Sequence, residues 1–173
     1  VSGMGGKFFF DDDQQTPDTM NVTFEYDNGM FLNWDLRIWA PYGVAGLDNG
    51  TAVYGSEGMI HIGPYKPHER WGFKTFDKQG KQLEHDDENF DRGFDDDTHQ
   101  RNFVDSIKSG KLPNADIGIG HLSGIHCHLA NIVARAGKGF TFDSETETIP
   151  SVPEANVHVR RRYRTHWATP SGV

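Results

Sequence analysis

The segment HLSGIHCHLANIVARAGKGFTFD, residues 121–143, decides the fold, because it contains a long helical pattern, a stop signal and a strand pattern in succession. Its apolar residues recur three or four positions apart, which places them on one face of an α-helix: Leu122, Ile125, Leu129, Ile132, Val133 and Ala136. Gly137 and Gly139 follow and predict the end of the helix. Phe140 and Phe142 then alternate with polar residues, which predicts a half-buried strand. The apolar face of this helix requires a partner that covers it.

Upstream, the segment MNVTFEYDNGMFLNWDLRIW, residues 20–39, predicts a β-hairpin, because apolar residues alternate on both sides of an Asp-Asn-Gly turn. A three-residue loop pairs Tyr26 with Met30 and Phe24 with Leu32, and it places Gly29 in the left-handed conformation. The opposite face of this hairpin is polar with aromatic interruptions, and it could be solvent surface or part of a cleft. That face carries Asn21, Thr23, Glu25, Asn33, Asp35, Arg37 and Trp39.

Two further hairpins follow. TAVYGSEGMIHI, residues 51–62, predicts a turn at Glu57 and Gly58, and WGFKTFDKQGKQL, residues 71–83, predicts a turn that ends at Gly80. The glycines of the first six residues lack the preceding strand of a dinucleotide-binding loop, so they indicate a Gly-rich approach to a strand. About six locally connected strands favour an antiparallel or mixed sheet over a doubly wound one.

A second helix is predicted from Asp97, with Phe103 and Ile107 on its buried face and Gly110 at its end. The helix of residues 121–136 follows it closely. The sequence therefore predicts an α+β fold, an open-faced and mostly antiparallel β-sheet with helices packed on one face, in one domain that spans residues 1–173. The acidic segment HDDENFDRGFDDD, residues 85–97, is predicted to be an exposed loop.

Composition excludes several classes of function. Lys and Arg number 17 against 25 Asp and Glu, and the net charge of -8 argues against a nucleic-acid or anionic-membrane partner. One cysteine excludes an internal disulfide and a multi-thiolate zinc site. Apolar runs are far shorter than the ~20 residues that span a bilayer. No targeting segment is recognisable, but the chain begins at Val1 rather than at Met, and we expect the natural N-terminus to be missing. A cytoplasmic location is therefore only the default expectation, and export is left open.

Histidines are the main candidates for chemistry. His121 and His128 share one side of the predicted helix, whereas His126 falls away from His128, which is not the i, i+4 spacing of a helical zinc pair. We therefore predict no metal site. Each imidazole could face a substrate or form its hydrogen bonds within the protein, and the sequence leaves both interpretations open. Arginines near the C-terminus could contact phosphate, but in an acidic domain we expect them to pair with carboxylates: Arg160, Arg161, Arg162 and Arg164.

Several motifs occur in an order that resembles the C-terminal domain of the bacterial Gfo/Idh/MocA family of NAD(P)-dependent oxidoreductases, which includes glucose-fructose oxidoreductase and inositol dehydrogenase. The resemblance covers nearly the whole chain. In order, the motifs are VSGMGGKF, TPDTMNVTFEYDNG, YGSEGMIHI, HQRNFVDSIKSGKLPNADI, GHLSGIHCHLANIVARAGKGFTFD and EANVHVRRRYRTHW.

This resemblance implies a domain that shapes the substrate cleft and forms subunit contacts through its open sheet, next to an N-terminal Rossmann domain that binds NAD or NADP. The family's glycine fingerprint, its Glu-Lys-Pro motif and its proton-transfer pair have no counterpart in these 173 residues. The implied substrate is a sugar, a polyol or a related hydroxy compound. We therefore expect no catalytic residue and no cofactor on this chain alone, and a homo-oligomer in the intact protein.

Residue type and placement suggest which side chains would line the cleft: Arg37, Trp39, His121, His126 and His128. These side chains could hold sugar hydroxyls. Two other classes of protein compete with the enzyme interpretation. One is a stand-alone oligomerisation domain without chemistry, and the other is a carbohydrate-binding module that uses exposed aromatic residues.

Overall fold

The computed structural model describes residues 1–43, 46–65, 70–86 and 96–160. Within these residues, seven strands, two α-helices and one complete 3-10 helix succeed one another. The strands are β1 Ser2–Gly6, β2 Thr19–Glu25, β3 Phe31–Arg37, β4 Thr51–Gly55, β5 Gly58–Tyr65, β6 Arg70–Asp77 and β7 Gln82–Asp86. The helices are α1 Asp96–Ser109, α2 Ile117–Ala136 and the 3-10 helix Pro153–His158.

All strand pairs are antiparallel, and the sheets are open, so the predicted α+β class is confirmed. The strands form two sheets rather than one, in the orders β1-β2-β3 and β4-β5-β6-β7. The chain correspondingly divides into two compact units. The first unit contains Val1–Trp39 and Ile117–Val173, and the second contains Ala40–Asp116.

In the first unit, α2 packs on one face of the sheet, against β1 and β2. This inner face presents Val22, and the helix presents Val133; both side chains are fully buried. Gly3 of β1 also lies close to β2, because a Cβ there would be 2.3 Å from the carbonyl oxygen of Asn21. Ile149, which precedes the 3-10 helix, completes the core and is fully buried as well.

The periodic pattern of α2 correctly predicts its buried face, but only in the C-terminal half of the helix. Leu129 is 6% exposed, whereas Leu122, on the same predicted face, is 64% exposed. The helix ends as predicted at Gly137, whose φ is 67° and whose N–H donates to the carbonyl of Val133 at 3.0 Å. The N-terminal half of α2 thus carries apolar residues that the described part of its unit leaves uncovered.

The first hairpin confirms the predicted register. Phe24 pairs with Leu32, the N–H of Tyr26 donates to the carbonyl of Met30, and Gly29 has a φ of 82°. Local turn chemistry was sufficient here because the loop length fixes which residues face each other.

The predicted strand at Phe140 and Phe142 is wrong. Phe140 instead exchanges two backbone hydrogen bonds with Val1, at 2.8 and 2.9 Å, and Asp143 forms an isolated bridge with Thr148. The alternation itself is present, since Phe140 is buried and Thr141 is exposed. Phe140 pairs with Val1 whereas Asp143 pairs with Thr148, so the segment does not form a continuous ladder with one partner strand.

In the second unit, the turn of the β4-β5 hairpin lies one residue earlier than predicted, since Gly55 pairs with Gly58 around Ser56 and Glu57. The turn before β7 is confirmed, because Gly80 has a φ of 82° and its N–H donates to the carbonyl of Asp77. Glycine is favoured there because the left-handed conformation carries no steric cost without a Cβ.

Helix α1 begins at Asp96, one residue before the predicted start, and ends at Ser109, before Gly110 as predicted. Its predicted buried face is wrong: Phe103 is 58% exposed and Ile107 is 67% exposed. Within its own unit, none of the described strands packs against α1. Helical spacing identified the apolar face but not whether another element covers it. The described helices contain no stretch long and apolar enough to cross a membrane.

The predicted acidic loop at 85–97 lies mostly outside the described residues, as do Arg161, Arg162 and Arg164.

Leu129 and Leu122 provide a matched test of this packing, since both are leucines of α2 and only Leu129 is buried. We expect Leu129→Ala to lower the free energy of unfolding by about 2–5 kcal/mol, because it removes buried methyl groups and leaves a cavity. Leu122→Ala is expected to change it by less than about 0.5 kcal/mol. Urea unfolding of both variants would measure this, and equal losses would contradict the half-covered helix.

Candidate functional site

A groove of about 570 Å³ runs beside the N-terminal half of α2. Its floor is apolar, and the polar side chains among its described lining residues are two imidazoles and one carboxylate. The lining residues are Ile117, Gly118, Gly120, His121, Gly124, Ile125, His128, Leu129, Ile132, Phe142, Glu147 and Val159. This volume lies within the range of small-molecule sites, roughly 300–1,000 Å³. Three of the lining residues are glycines of α2, which bring no side chain into this space.

Glu147 and His121 form the main polar contact of the groove. Glu147 Oε1 lies 2.5 Å from His121 Nε2, and both side chains remain partly exposed. Glu147 is also the only non-glycine residue among those described that has a positive φ, 50°. A side chain in this left-handed region costs about 1–2 kcal/mol, so the surrounding turn must hold it there.

Asp143 organises the turn that holds Glu147. Its carboxylate accepts hydrogen bonds from the hydroxyl of Thr146 at 2.8 Å and from the backbone N–H groups of Glu145 and Thr146. The hydrogen bond from the Thr146 hydroxyl, followed by those from the backbone, holds the pKa of Asp143 below its usual value. The backbone bridge between Asp143 and Thr148 closes the turn, and the Glu147 carboxylate meets the helix.

The three predicted histidines of α2 do not form one cluster. His121 and His128 both line the groove, which agrees with their shared side of the helix, while His126 lies elsewhere. His126 Nδ1 is 3.0 Å from the carbonyl of Leu122, so this nitrogen carries the proton when the ring is neutral. Its Nε2 then accepts from the Tyr26 hydroxyl at 2.7 Å. Both ring nitrogens are thus engaged, and His126 connects α2 to the end of β2.

Arg37 and Trp39 lie on the outer face of the first sheet, opposite the face that α2 covers. Arg37 donates to Asp35 at 2.7 Å. Trp39 donates from Nε1 to the Thr19 hydroxyl at 2.9 Å, and its ring stacks on Phe9 with centroids 4.7 Å apart. The five predicted residues therefore lie in three separate places. His121 and His128 line the groove, His126 contacts Tyr26, and Arg37 and Trp39 lie at the end of the outer face.

A fully buried carboxylate, that of Asp18, supports the outer face, and sequence reasoning did not identify it. It accepts backbone hydrogen bonds from Phe8, Phe9 and Phe10 at 2.9–3.2 Å, and another from the Thr19 hydroxyl at 2.8 Å. Burial raises the pKa of Asp18, but these hydrogen bonds outweigh burial and hold the pKa well below its usual value.

The other residues missed from the sequence are Glu147 and Phe8–Phe10. A Thr-Pro-Asp-Thr segment just before a strand was the available signal for Asp18, since short polar side chains often bind nearby backbone groups. Glu147 carried no comparable signal, because its partner His121 lies 26 residues away.

Acid should weaken the fold through Asp18. Its pKa is lowered in the folded state, so its contribution to stability is complete above the unfolded value of about 3.9 and is lost as the pH falls towards the folded value. We expect Asp18→Asn to be less stable than the parent at neutral pH and to show a shallower decline below about pH 4. Thermal unfolding across this range would measure both effects. Asp13→Asn, at an exposed aspartate of the loop that precedes Asp18, is the control, and an equal slope in both variants would contradict the account.

Strain at Glu147 can be measured by comparing two substitutions that both remove the carboxylate. Glycine relieves the positive φ and alanine keeps it, so we expect Glu147→Gly to be more stable than Glu147→Ala by about 1 kcal/mol. At Glu145, which has no positive φ, the order should reverse by about 0.4–1 kcal/mol. Chemical denaturation of the four variants tests this, and a Glu147→Ala variant that is more stable than Glu147→Gly, as expected at Glu145, would show that Glu147 is unstrained.

Comparison with known proteins yields no relative for this chain. No protein-family model and no curated protein matches the sequence, and no solved structure matches the fold. The function is therefore inferred from the residues and from the geometry of the groove and of the outer face.

Proposed function

We propose that this chain is the substrate-cleft and subunit-contact domain of an NAD(P)-dependent oxidoreductase that acts on a sugar, a polyol or a related hydroxy compound. The observation that carries the proposal is the groove beside α2, in which His121, His128 and Glu147 are the polar groups of an otherwise apolar lining. The order of sequence motifs that resembles the Gfo/Idh/MocA family supplies the reaction type. The groove supplies the chemistry for binding.

The groove suits a polyhydroxylated ring. Glu147 accepts hydrogen bonds and an imidazole can donate or accept, so these groups can bind hydroxyls of either orientation. The apolar floor, which includes Ile125 and Phe142, can contact the C–H faces of the ring. Because Glu147 is held by its turn and paired with His121, little ordering is needed when the ligand binds.

A nicotinamide-binding domain of the same polypeptide would carry the cofactor in this proposal. The domain would be the N-terminal Rossmann domain that the resemblance implies, and it would bind NAD or NADP. Hydride would pass between the nicotinamide and a carbon that bears a hydroxyl. This chain would orient that carbon and exclude water from it. It would therefore position the substrate without supplying a reacting group.

The outer face of the first sheet is the proposed subunit contact. None of the described elements of this unit packs on it, and Met4 and Phe31 are 72% and 73% exposed there. The Thr23 hydroxyl donates to Asn33 across two strands, so the polar part of the face is internally hydrogen-bonded and less costly to bury. A homo-oligomer formed through this face would cover its exposed apolar side chains together with its hydrogen-bonded polar side chains.

A stand-alone carbohydrate-binding or oligomerisation domain is the alternative. One observation favours carbohydrate binding: Phe9 and Trp39 stack in parallel at the surface and remain 60% and 39% exposed. Such a domain would bind sugars without any nicotinamide cofactor.

In the natural full-length protein, we expect His121→Ala and Glu147→Gln to raise the KM for the sugar or polyol substrate about threefold to tenfold, because each removes a hydrogen bond to a hydroxyl. Gly124→Leu should raise KM at least as much, since none of the described residues lies within 4 Å of a Cβ at this position, and the new side chain would project into the groove. Steady-state kinetics with NAD and NADP would measure these effects.

His99→Ala is the matched control, because His99 is an exposed helical histidine outside the groove. Its KM should equal that of the parent. Unchanged kinetics in all three groove variants would exclude the groove as the substrate site. Absence of any cofactor-dependent turnover would exclude the oxidoreductase and favour the carbohydrate-binding alternative.

A further inference from the structure

Three consecutive phenylalanines lie at the surface of this chain in an ordered arrangement. Phe9 stacks on Trp39, with ring planes inclined by only 10°, and Phe10 meets Phe9 edge-on with centroids 5.1 Å apart. We call Phe9, Phe10 and Trp39 the aromatic platform. Phe8 precedes Phe9 in the chain and is 72% exposed. Exposed aromatic clusters of this kind usually mark binding surfaces, because leaving them in water is unfavourable.

A buried network fixes the platform. Asp18, which is fully buried, accepts the backbone N–H groups of Phe9 and Phe10, while Thr19 donates to Asp18 and accepts from Trp39 Nε1. Both halves of the stack therefore depend on one carboxylate. A loop that served only as a connection would gain nothing from holding aromatic rings in water, whereas a binding surface gains affinity because its rings are ordered before the ligand arrives.

We infer that the aromatic platform binds the ring of a carbohydrate, in a site separate from the groove beside α2. A pyranose with equatorial hydroxyls presents flat C–H faces, and these stack on aromatic rings while the hydroxyls stay at the edge. The platform shares no residue with the groove, so this inference does not depend on the proposed oxidoreductase.

The size of the platform favours a small ligand over a second protein. With aromatic side-chain areas of 150–250 Å², the exposed fractions of its three rings correspond to roughly 300 Å², less than half of the ~800 Å² per partner of a standard protein interface. One or two sugar rings cover an area of this order.

The polar surroundings also favour a carbohydrate. The loop that follows Phe10 carries Asp11, Asp12 and Asp13, and Asp12 pairs with Lys7. Carboxylates beside an apolar surface are costly to bury against another protein unless cations meet them. Sugar hydroxyls donate hydrogen bonds to carboxylates without bringing a charge, so this edge fits a carbohydrate that remains partly hydrated.

The test is a titration of the chain with cellobiose, in which the NMR signal of the Trp39 indole N–H is monitored. This signal is assigned by its disappearance in the Trp39→Phe variant. We expect a saturable shift with a Kd on the order of 1 mM. Glycerol, which has hydroxyls but no ring, should cause no saturable shift. Phe9→Ala should weaken binding about tenfold through loss of stacking, and Phe9→Tyr should retain it. Trp71→Phe, at a tryptophan of similar exposure in the other unit, should leave binding unchanged.

Asp18→Asn should weaken binding as well, because it releases the backbone of Phe8–Phe10. If this variant does not fold, Phe9→Ala, at an exposed ring, keeps the test valid. A linear response to cellobiose, or equal responses to cellobiose and glycerol, would overturn the inference. So would a change of oligomeric state in Phe9→Ala with cellobiose binding intact, since the platform would then belong to the subunit contact.

Discussion

The packing of the C-terminal half of α2 against β1 and β2 is the constraint on which the first unit depends. Val133 and Val22 are both fully buried in this contact, and their burial fixes the height of the helix above the sheet. Gly3 allows β1 to lie close against β2, and Phe140, just after the helix, exchanges backbone hydrogen bonds with Val1. Apolar burial of this kind supplies most of the stability that a helix gains in a protein.

The same constraint creates the candidate site. The first turns of α2 extend past the covered region, where glycines and His121 alternate with apolar residues such as Leu122 that the described part of the unit leaves exposed. Glu147 then approaches from a turn that the Asp143 carboxylate organises, and it brings a negative charge to an apolar groove at the expense of a left-handed backbone. On the opposite side of the sheet, Asp18 performs a comparable task for Phe9 and Trp39. In both places a carboxylate that accepts several hydrogen bonds orders residues that project outward.

Local chemistry made part of this structure predictable. The register around Gly29 followed from loop length, and the buried face of α2 followed from the spacing of Leu129 and Val133. Contacts between distant segments were not predictable in this way. Phe140 pairs with Val1 instead of entering a sheet, and Phe103 shows the same limit, because its helical spacing was right although no described strand of its unit covers it. In the groove, the shared side of His121 and His128 followed from helical geometry, whereas Glu147 did not, because its position depends on a turn conformation that glycine would ordinarily occupy.

Hydrogen–deuterium exchange along α2 in the natural full-length protein tests the central claim most directly, because it separates the C-terminal half of the helix, which the sheet covers, from the exposed first turns beside the groove. The account predicts that amides at 117–124 exchange more slowly once a nicotinamide cofactor and a sugar or polyol substrate are added. Amides around Leu129 and Val133, which the sheet already protects, should not change. If the amides at 117–124 exchange at the same rate with and without both ligands while turnover proceeds, the substrate is bound elsewhere and the groove is not the site.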